Sequence, residues 1–218
     1  DFITQDDDGL TINATLSTQL ASGETLEYSA DNGATWSDIS SAVYGTAITH
    51  TDASLTSDAT IQMRVTDSAG NSSTAVEKTI TIDTTAPTIA SVTLANGTYK
   101  IGDTVALTIT ATNNEADLTL SPATFNGQTL TDITDNDDGS YSATYTVQEG
   151  DPDLSNGDNA TANLAFTDPA GNSGPAFTSV ALSGETMDAT APTTTLTIDS
   201  ISDDTGSSNN DFITNDND

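Results

Sequence analysis

Asp83-Thr84-Thr85-Ala86-Pro87 and its echo Asp188-Ala189-Thr190-Ala191-Pro192 decide how this chain is read. Each follows an alternating apolar run and places a carboxylate where a strand would leave its sheet. Each ends in a proline, which fixes φ and biases the preceding residue towards extended backbone. They read as joints between modules. The copies lie 105 residues apart, and other pairs keep nearly the same step. Asp67-Ser68-Ala69-Gly70-Asn71 returns as Asp168-Pro169-Ala170-Gly171-Asn172 after 101 residues, and Asp1-Phe2-Ile3-Thr4 returns as Asp211-Phe212-Ile213-Thr214 after 210. Self-similarity at a fixed period is the signature of a tandem array. The expected modules are residues 1–86, without their first strand at the N-terminus, then 87–191, then the beginning of a third over 192–218.

Between the joints the chain is written in short runs of period two. Leu10-Thr11-Ile12-Asn13-Ala14-Thr15-Leu16, Leu26 to Ala30, Ile61 to Val65 and Val76 to Ile82 alternate apolar and polar residues, as half-buried strands do; Ala47-Ile48-Thr49 is weaker. Asp31-Asn32-Gly33 supplies a hairpin turn tolerant of positive φ, after which Thr35-Trp36 resumes extended chain. In the second module Ile89 to Leu94, Val105 to Thr110, Leu118 to Leu120, Phe125, Tyr141 to Val147, Ala160 to Phe166 and Phe177 to Leu182 give about seven strands, the number of an immunoglobulin-like sandwich. Nothing reads as a long amphipathic helix. The predicted fold class is all-β, tandem immunoglobulin-like β-sandwich modules. Thr195-Leu196-Thr197-Ile198 predicts one more strand, an orphan. With a first-module edge left open, residues 193–201 are expected to add to such an edge, so the fragment is monomeric or edge-strand-paired.

Charge is the other constraint. The 218 residues hold 33 Asp and Glu against 3 Lys and Arg, a formal net charge of −30. Arg64, Lys78 and Lys100 cannot neutralise that number of carboxylates, whereas a divalent cation such as Ca2+ can. The same sign disfavours nucleic acid and anionic membranes as partners. No apolar run is long enough to span a bilayer. There is no cysteine, so disulfides and thiolate metal sites are excluded. The chain opens inside a module and looks cut from something longer, so the lack of an export signal carries little weight.

With the joints and turns laid out, the chain resembles the bacterial immunoglobulin-like repeats of giant surface adhesins, including RTX-type adhesins that mediate biofilm formation. The resemblance rests on Asn96-Gly97-Thr98-Tyr99-Lys100-Ile101-Gly102-Asp103, Asp138-Gly139-Ser140-Tyr141 and Thr146-Val147-Gln148-Glu149-Gly150-Asp151 in the second module. In the first it rests on Tyr28-Ser29-Ala30-Asp31-Asn32-Gly33-Ala34-Thr35-Trp36, and both modules carry the Ala-Gly-Asn turn. It implies calcium-bound extender modules on a bacterial cell surface, acting with neighbouring repeats of the same chain and with distal ligand-binding domains. The glycine-rich calcium nonapeptide of RTX proteins is absent.

Sandwich topology places the loop between the last two strands at the end where the chain enters, which brings Asp168 and Asn172 to the Asp83 joint. The loop between the first two strands sits at the opposite end, which brings Asp6 and Asp8 of the first module to the same joint. Asp188 with Asp103, Glu149, Asp151 and Asp153 forms the equivalent set at the second joint. Hard oxygen ligands from two modules would then converge on Ca2+; the alternative is that these are solvated acids that only cap turns. Ser29-x-Asp31-x-Gly33-x-Thr35-Trp36 resembles an Asp-box hairpin, in which the Asp braces a turn, and Trp36 is a candidate core residue. Catalysis is not expected. His50 is the sole histidine, and a glycosidase needs one of its paired acids in an apolar cleft, whereas the acids here sit in polar loops. The functional expectation is a non-enzymatic calcium-stiffened stalk of a secreted adhesin. The rivals are a module that itself binds a glycan or protein, and a linker beside a polysaccharide-degrading enzyme.

Overall fold

The structure is a computed structural model and describes residues 2–198. Asp1 and residues 199–218, which include the Asp211–Thr214 copy and most of the expected third module, lie outside the described residues.

The first module contains β1 (Phe2–Thr4), β2 (Leu10–Thr15), β3 (Thr25–Ser29), β4 (Ser37–Asp38), β5 (Val43–Tyr44), β6 (Ala47–Asp52), β7 (Ala59–Thr66) and β8 (Val76–Ile82). One sheet runs β1-β8-β7-β3-β4 and the other β2-β6-β5. The second module contains β9 (Ile89–Leu94), β10 (Thr98–Lys100), β11 (Thr104–Ala111), β12 (Thr119–Phe125), β13 (Gln128–Thr129), β14 (Thr131–Asp135), β15 (Ser140–Thr146), β16 (Asn159–Thr167), β17 (Phe177–Ala181) and β18 (Thr186–Asp188). Its sheets run β14-β15-β11-β9 and β13-β12-β16-β17, with β10 and β18 as a short parallel pair. The modules superpose in topology: β2-β6-β5 corresponds to β11-β15-β14, and β4-β3-β7-β8 to β13-β12-β16-β17. β1 lies parallel to β8 as β10 does to β18. Among the described residues no strand of the first module stands where β9 flanks β11.

Alternation explains the second core. Along β11, Val105, Leu107, Ile109 and Ala111 point inward and are buried, opposite Tyr145, Ala143 and Tyr141 of β15. The outward faces of the same pair carry Thr104, Thr108 and Thr110 against Thr146, Ser142 and Ser140, so the sheet surface is neutral and the acids are left to the loops. Leu164, Phe166, Phe125 and Val180 close the core from the facing sheet. The first module has a separate and smaller buried cluster of Leu26, Tyr28, Ile39, Ile48, Leu55, Ile61 and Ile80.

Three expectations are corrected. Extended chain resumes after the hairpin at Ser37, and Trp36 is outside the core: its indole is half-buried on the surface, beneath the Arg64 guanidinium at 3.9 Å from the ring centre. Thr119, Leu120 and Phe125 belong to one strand, β12, with Leu118 just before it, and its register against β16 is interrupted between Leu120 and Ala123, where Pro122 can donate no ladder hydrogen bond. Thr195 to Ile198 forms no strand, and Leu196 and Ile198 are 90% and 70% exposed. Alternation qualifies a segment for a sheet, but only a neighbouring edge makes it a strand. Residues 199–201 of that expected segment lie outside the described residues.

The loops are held by carboxylates accepting backbone N–H groups. Asp31 takes Thr35 N at 2.8 Å, Thr35 Oγ1 at 2.6 Å and Ser29 Oγ at 2.7 Å, and this bracing holds it at about 2, below its ordinary 3.8. Asp38 and Asp138 are lowered in the same way by Ser40 and Ser140, and Asp67 by Asn71.

The cores and the turns can each be probed. Leu164→Ala, at a fully buried position, lowers the stability of the second module by about 3 kcal/mol; calorimetry then shows one transition moving down and the other, from the first core, staying in place. Acid has two opposed effects. A carboxylate with a depressed folded pKa gives stability that is complete above 3.8 and is lost as pH falls through the folded value, about 2 for Asp31, whereas protonation relieves the −30 repulsion. The short charge-assisted bonds outweigh screened repulsion, so Tm declines between about pH 4 and pH 2 in 0.15 M salt. A Tm that climbs continuously on acidification gives the opposite ranking.

Candidate functional site

The first joint is a built structure. β8 ends at Ile82, whose N–H donates to Asp58 Oδ1 at 2.7 Å, and Asp83 N donates to the Thr4 carbonyl at 2.9 Å. Asp83 Oδ1 then accepts Thr85 N, turning the chain towards Pro87. From the second module the loop after β16 closes over this turn. Asn172 Nδ2 donates to the Asp83 carbonyl oxygen at 2.7 Å and to Asp168 Oδ2 at 2.9 Å, while Asn172 N donates to Asp168 Oδ1. Both side chains are buried there. Gly174 admits no side chain, since a Cβ would collide with the Pro87 carbonyl oxygen. Gln5, two residues before Asp7, lies against Gly171.

The same turn in the first module shows what the joint adds. Asp67 and Asn71 make the equivalent bonds, Asn71 N to Asp67 Oδ1 at 2.8 Å and Asn71 Nδ2 to Asp67 Oδ2 at 2.9 Å, but both residues are exposed. Identical local chemistry therefore becomes a latch only where a linker passes over it.

Glu115 was not legible as part of this joint. Burial first, then the charges of Asp168 and Asp83, push its carboxyl above the ordinary 4.5. Three carboxylates thus crowd the Asp83 end. Asp6 and Asp8 sit just beyond β1, where Asp8 N donates to Asp6 Oδ1 at 3.3 Å; a hydrogen bond and repulsion from Asp6 raise the Asp8 carboxyl. Neither forms a hydrogen bond to Asp83 or Asp168.

At the second joint Asp188, Glu149 and Asp153 come together around the linker. Ala189 N and Thr190 Oγ1 donate to the two oxygens of Asp153, Thr190 N to Asp188 Oδ1, and Ala191 N to Glu149. Asp103 and Asp151 are engaged elsewhere. Asp103 is paired with Lys100 Nζ at 2.8 Å. Asp151 turns inward, is 8% exposed, and accepts Tyr145 Oη at 2.6 Å, Gln128 Nε2 at 2.7 Å and Gln148 N at 2.8 Å. These bonds lower the Asp151 carboxyl although burial opposes them. Among the described residues no three His, Cys, Asp or Glu side chains are gathered closely enough to hold a metal ion as they stand. The Asp-box hairpin is a brace: Trp36 Nε1 donates to the Gly33 carbonyl, and Arg64 pairs with Glu27. His50 packs against Tyr28, with ring centres 4.7 Å apart and the planes tilted by 58°.

Residues 83–183 match the family model described as a bacterial Ig-like domain. The second module is Ig-like. Among solved structures the chain is similar to fibronectin(III)-like modules of CbhA from Clostridium thermocellum, with 14% identity, coverage of 84% of this chain and 88% of that one, and a TM-score of 0.44. It is also similar to murine CEACAM1b, with 17% identity, coverage of 83% and 94%, and a TM-score of 0.38. A third likeness is to SGBP-B of the Bacteroides ovatus mixed-linkage glucan utilization locus, solved with a mixed-linkage heptasaccharide, at 17% identity, 86% and 42% coverage, and a TM-score of 0.24. No curated protein matches the chain.

The latch is tested against its own exposed copy. Asn172→Ala leaves the Asp83 carbonyl and the Asp168 carboxylate each short of a donor in a buried place, and costs about 1–3 kcal/mol. Asn71→Ala, in the exposed copy, costs at least about 1 kcal/mol less. Chemical denaturation of both variants reads the difference, and equal losses show that Asn172 serves only its own turn.

Proposed function

We propose that this chain is a non-enzymatic extender segment of a large secreted bacterial surface adhesin, in which junctions between Ig-like modules are stiffened by Ca2+. The observation that carries the reading is the latch at the Asp83 joint, where a loop of one module is bonded to the linker beside three crowded carboxylates. Such a joint fixes direction between modules, which is what a spacer needs and a single binding module does not.

The donor set has the right chemistry for a hard cation. Asp83, Asp168 and Glu115 supply carboxylate oxygens at one place, and Asp6 and Asp8, one and three residues after the Gln5 that lies against Gly171, are the donors the first module would add. At the second joint Asp188, Glu149 and Asp153 are the corresponding donors, completed by acids of the module that follows. Asp151 and Asp103 are left out, because their oxygens already hold the Tyr145 hydroxyl and the Lys100 ammonium. The side chains do not share a single shell, so an ion would have to pull them together. When bound, calcium would cancel the part of the Glu115 shift that comes from the charges of Asp168 and Asp83, while the larger part comes from burial. Exposed oxygen sites of extracellular modules bind at about 10⁻⁴ to 10⁻³ M, a range met outside cells. The setting proposed is the bacterial cell surface, with neighbouring repeats and a distal ligand-binding domain as partners, in adhesion and biofilm formation. A glycan- or protein-binding role of the module itself is the alternative, and binding of the chain to a glycan array is the outcome that would favour it.

Small-angle scattering and Tm followed through a calcium titration test the proposal. Both respond near 1 mM in the native chain, with the particle lengthening and Tm rising. In chelator Glu115→Gln raises Tm by about 2 °C or more, since it removes a carboxylate whose ionised form the fold disfavours, and the same variant loses part of the calcium response. Calcium leaving shape and Tm unchanged would remove the ion from the account.

A further inference from the structure

In the first module β6 is only partly covered by its edge strand. β5 pairs through Val43↔Ile48 and Tyr44↔Ala47, so among the described residues nothing flanks residues 49–52 on that side. In the second module the counterpart β14 runs along β15 from Tyr141 to Thr144, and beyond it Phe125 and Tyr145 fill the interior, both 0% exposed. The first module has a cavity of about 320 Å³ at this place, between β3, β4 and the end of β6. Its lining comes wholly from residues 28–54, on the side of the sandwich away from β1 and β2.

Alternation along β6 turns Ile48, His50 and Asp52 inward and leaves Thr49 and Thr51 outward. Asp52 is largely spent. Its Oδ1 accepts Ser54 N at 2.9 Å and Ser54 Oγ at 2.6 Å, and its Oδ2 accepts Tyr28 Oη at 3.0 Å. His50 is half-buried against the Tyr28 ring, yet among the described residues neither of its nitrogens has a hydrogen-bond partner. Ser37 Oγ, in the facing wall, has none either. Two unspent polar side chains thus line one space of ligand size, in a fold that otherwise commits its loop hydroxyls to carboxylates.

We propose that this cavity is a site for one pyranose ring without an acidic group, the end of a neutral glycan. The class follows from the lining. An imidazole in its neutral form offers one donor and one acceptor, the Ser37 hydroxyl offers both, and Asp52 Oδ2 keeps a lone pair; sugar hydroxyls, each donor and acceptor, match that mixture. Ile39 and Ala30 supply apolar surface for the C–H face of a ring. An anion is disfavoured, because the one charge in the lining is the Asp52 carboxylate and the chain carries −30. A metal ion would find only His50 and Asp52, short of the four ligands a site of that kind needs. The volume is at the low end for small-molecule sites, roughly 300–1,000 Å³, so one ring fits and an oligosaccharide does not. The site goes beyond the spacer reading and needs neither calcium nor the joint. A ligand of about a dozen heavy atoms binds here at about 1–10 mM, and the contact counts where many chains on one surface meet the same glycan.

NMR titration of the full chain tests this, in chelator, so that the outcome is separate from that of the calcium proposal. The probes are the methyl glycosides of glucose, galactose, mannose and N-acetylglucosamine, with glucuronic acid as the acidic control, each taken to about 50 mM. At least one neutral glycoside gives saturable shifts of the His50 ring and of the Ser37 and Ala53 amides, and glucuronic acid gives none. His50→Phe keeps a ring against Tyr28 and removes both nitrogens, and weakens binding about tenfold. Ser37→Ala, at an exposed position of the rim, weakens it about threefold and keeps the test valid should the first substitution disturb packing. Unchanged amide signals of Leu26 and Ile61 report that each variant is folded. No response to any of the four glycosides, shifts centred elsewhere on the surface, equal binding of glucuronic acid, or an affinity that both substitutions leave unchanged each overturns the proposal.

Discussion

Backbone N–H groups provide most of the counter-charge for the carboxylates of this fold. With 33 acids and 3 basic side chains, ion pairing has little scope, and the described residues contain two salt bridges, Arg64 to Glu27 and Lys100 to Asp103. Instead Asp31, Asp67, Asp103, Asp138, Asp151, Asp158 and Asp168 each accept a main-chain N–H at 2.7 to 3.0 Å. Such charge-assisted bonds are stronger than neutral ones and favour the ionised form of the acceptor. A chain this acidic folds because many of its charges are placed where peptide dipoles converge, in turns, while faces such as the outer side of β11 and β15 are largely Thr and Ser.

The same rule separates acids that are spent from acids that are not. Asp151 satisfies a buried tyrosine and a glutamine and has become part of the core. Asp153 and Glu149 hold a linker. Glu115, at the Asp83 end, is pushed in the opposite direction from the turn aspartates, by burial first and then by the charges of Asp168 and Asp83. The crowding of three carboxylates at one joint is therefore local, and the total of −30 does not reveal it.

Much of the architecture was legible in the sequence because it is written in short-range patterns. Period-two runs located the strands, the Asp-Asn-Gly turn located the hairpin, and the repeat of Asp-x-Ala-Gly-Asn placed Asp168 and Asn172 against Asp83 through topology alone. What was not legible depends on contacts between distant segments. Nothing in the run Asn113-Asn114-Glu115 marks Glu115 as a neighbour of the joint. Asp151 reads as one more loop acid until Tyr145, six residues earlier and inward by alternation, is seen to meet it. Trp36 looks like a core residue because large aromatics usually are, yet the first core is closed by Leu26, Tyr28 and Ile39, leaving the indole to stack beneath Arg64. Thr195 to Ile198 has the composition of a strand and lacks the edge that would make it one.

The parallel pairs at the module ends have a mechanical consequence. In each module a strand near the N-terminus lies alongside the final strand and runs in the same direction: β1 with β8 over Phe2↔Ile80 to Thr4↔Ile82, and β10 with β18 over Thr98↔Thr186 to Lys100↔Asp188. Tension on the two termini pulls these partners oppositely along their common axis. Their hydrogen bonds are then loaded in shear and must yield together, whereas an antiparallel hairpin pulled open at one end unzips bond by bond. Each module thus carries its strongest resistance to stretching where flow or a tether would apply force.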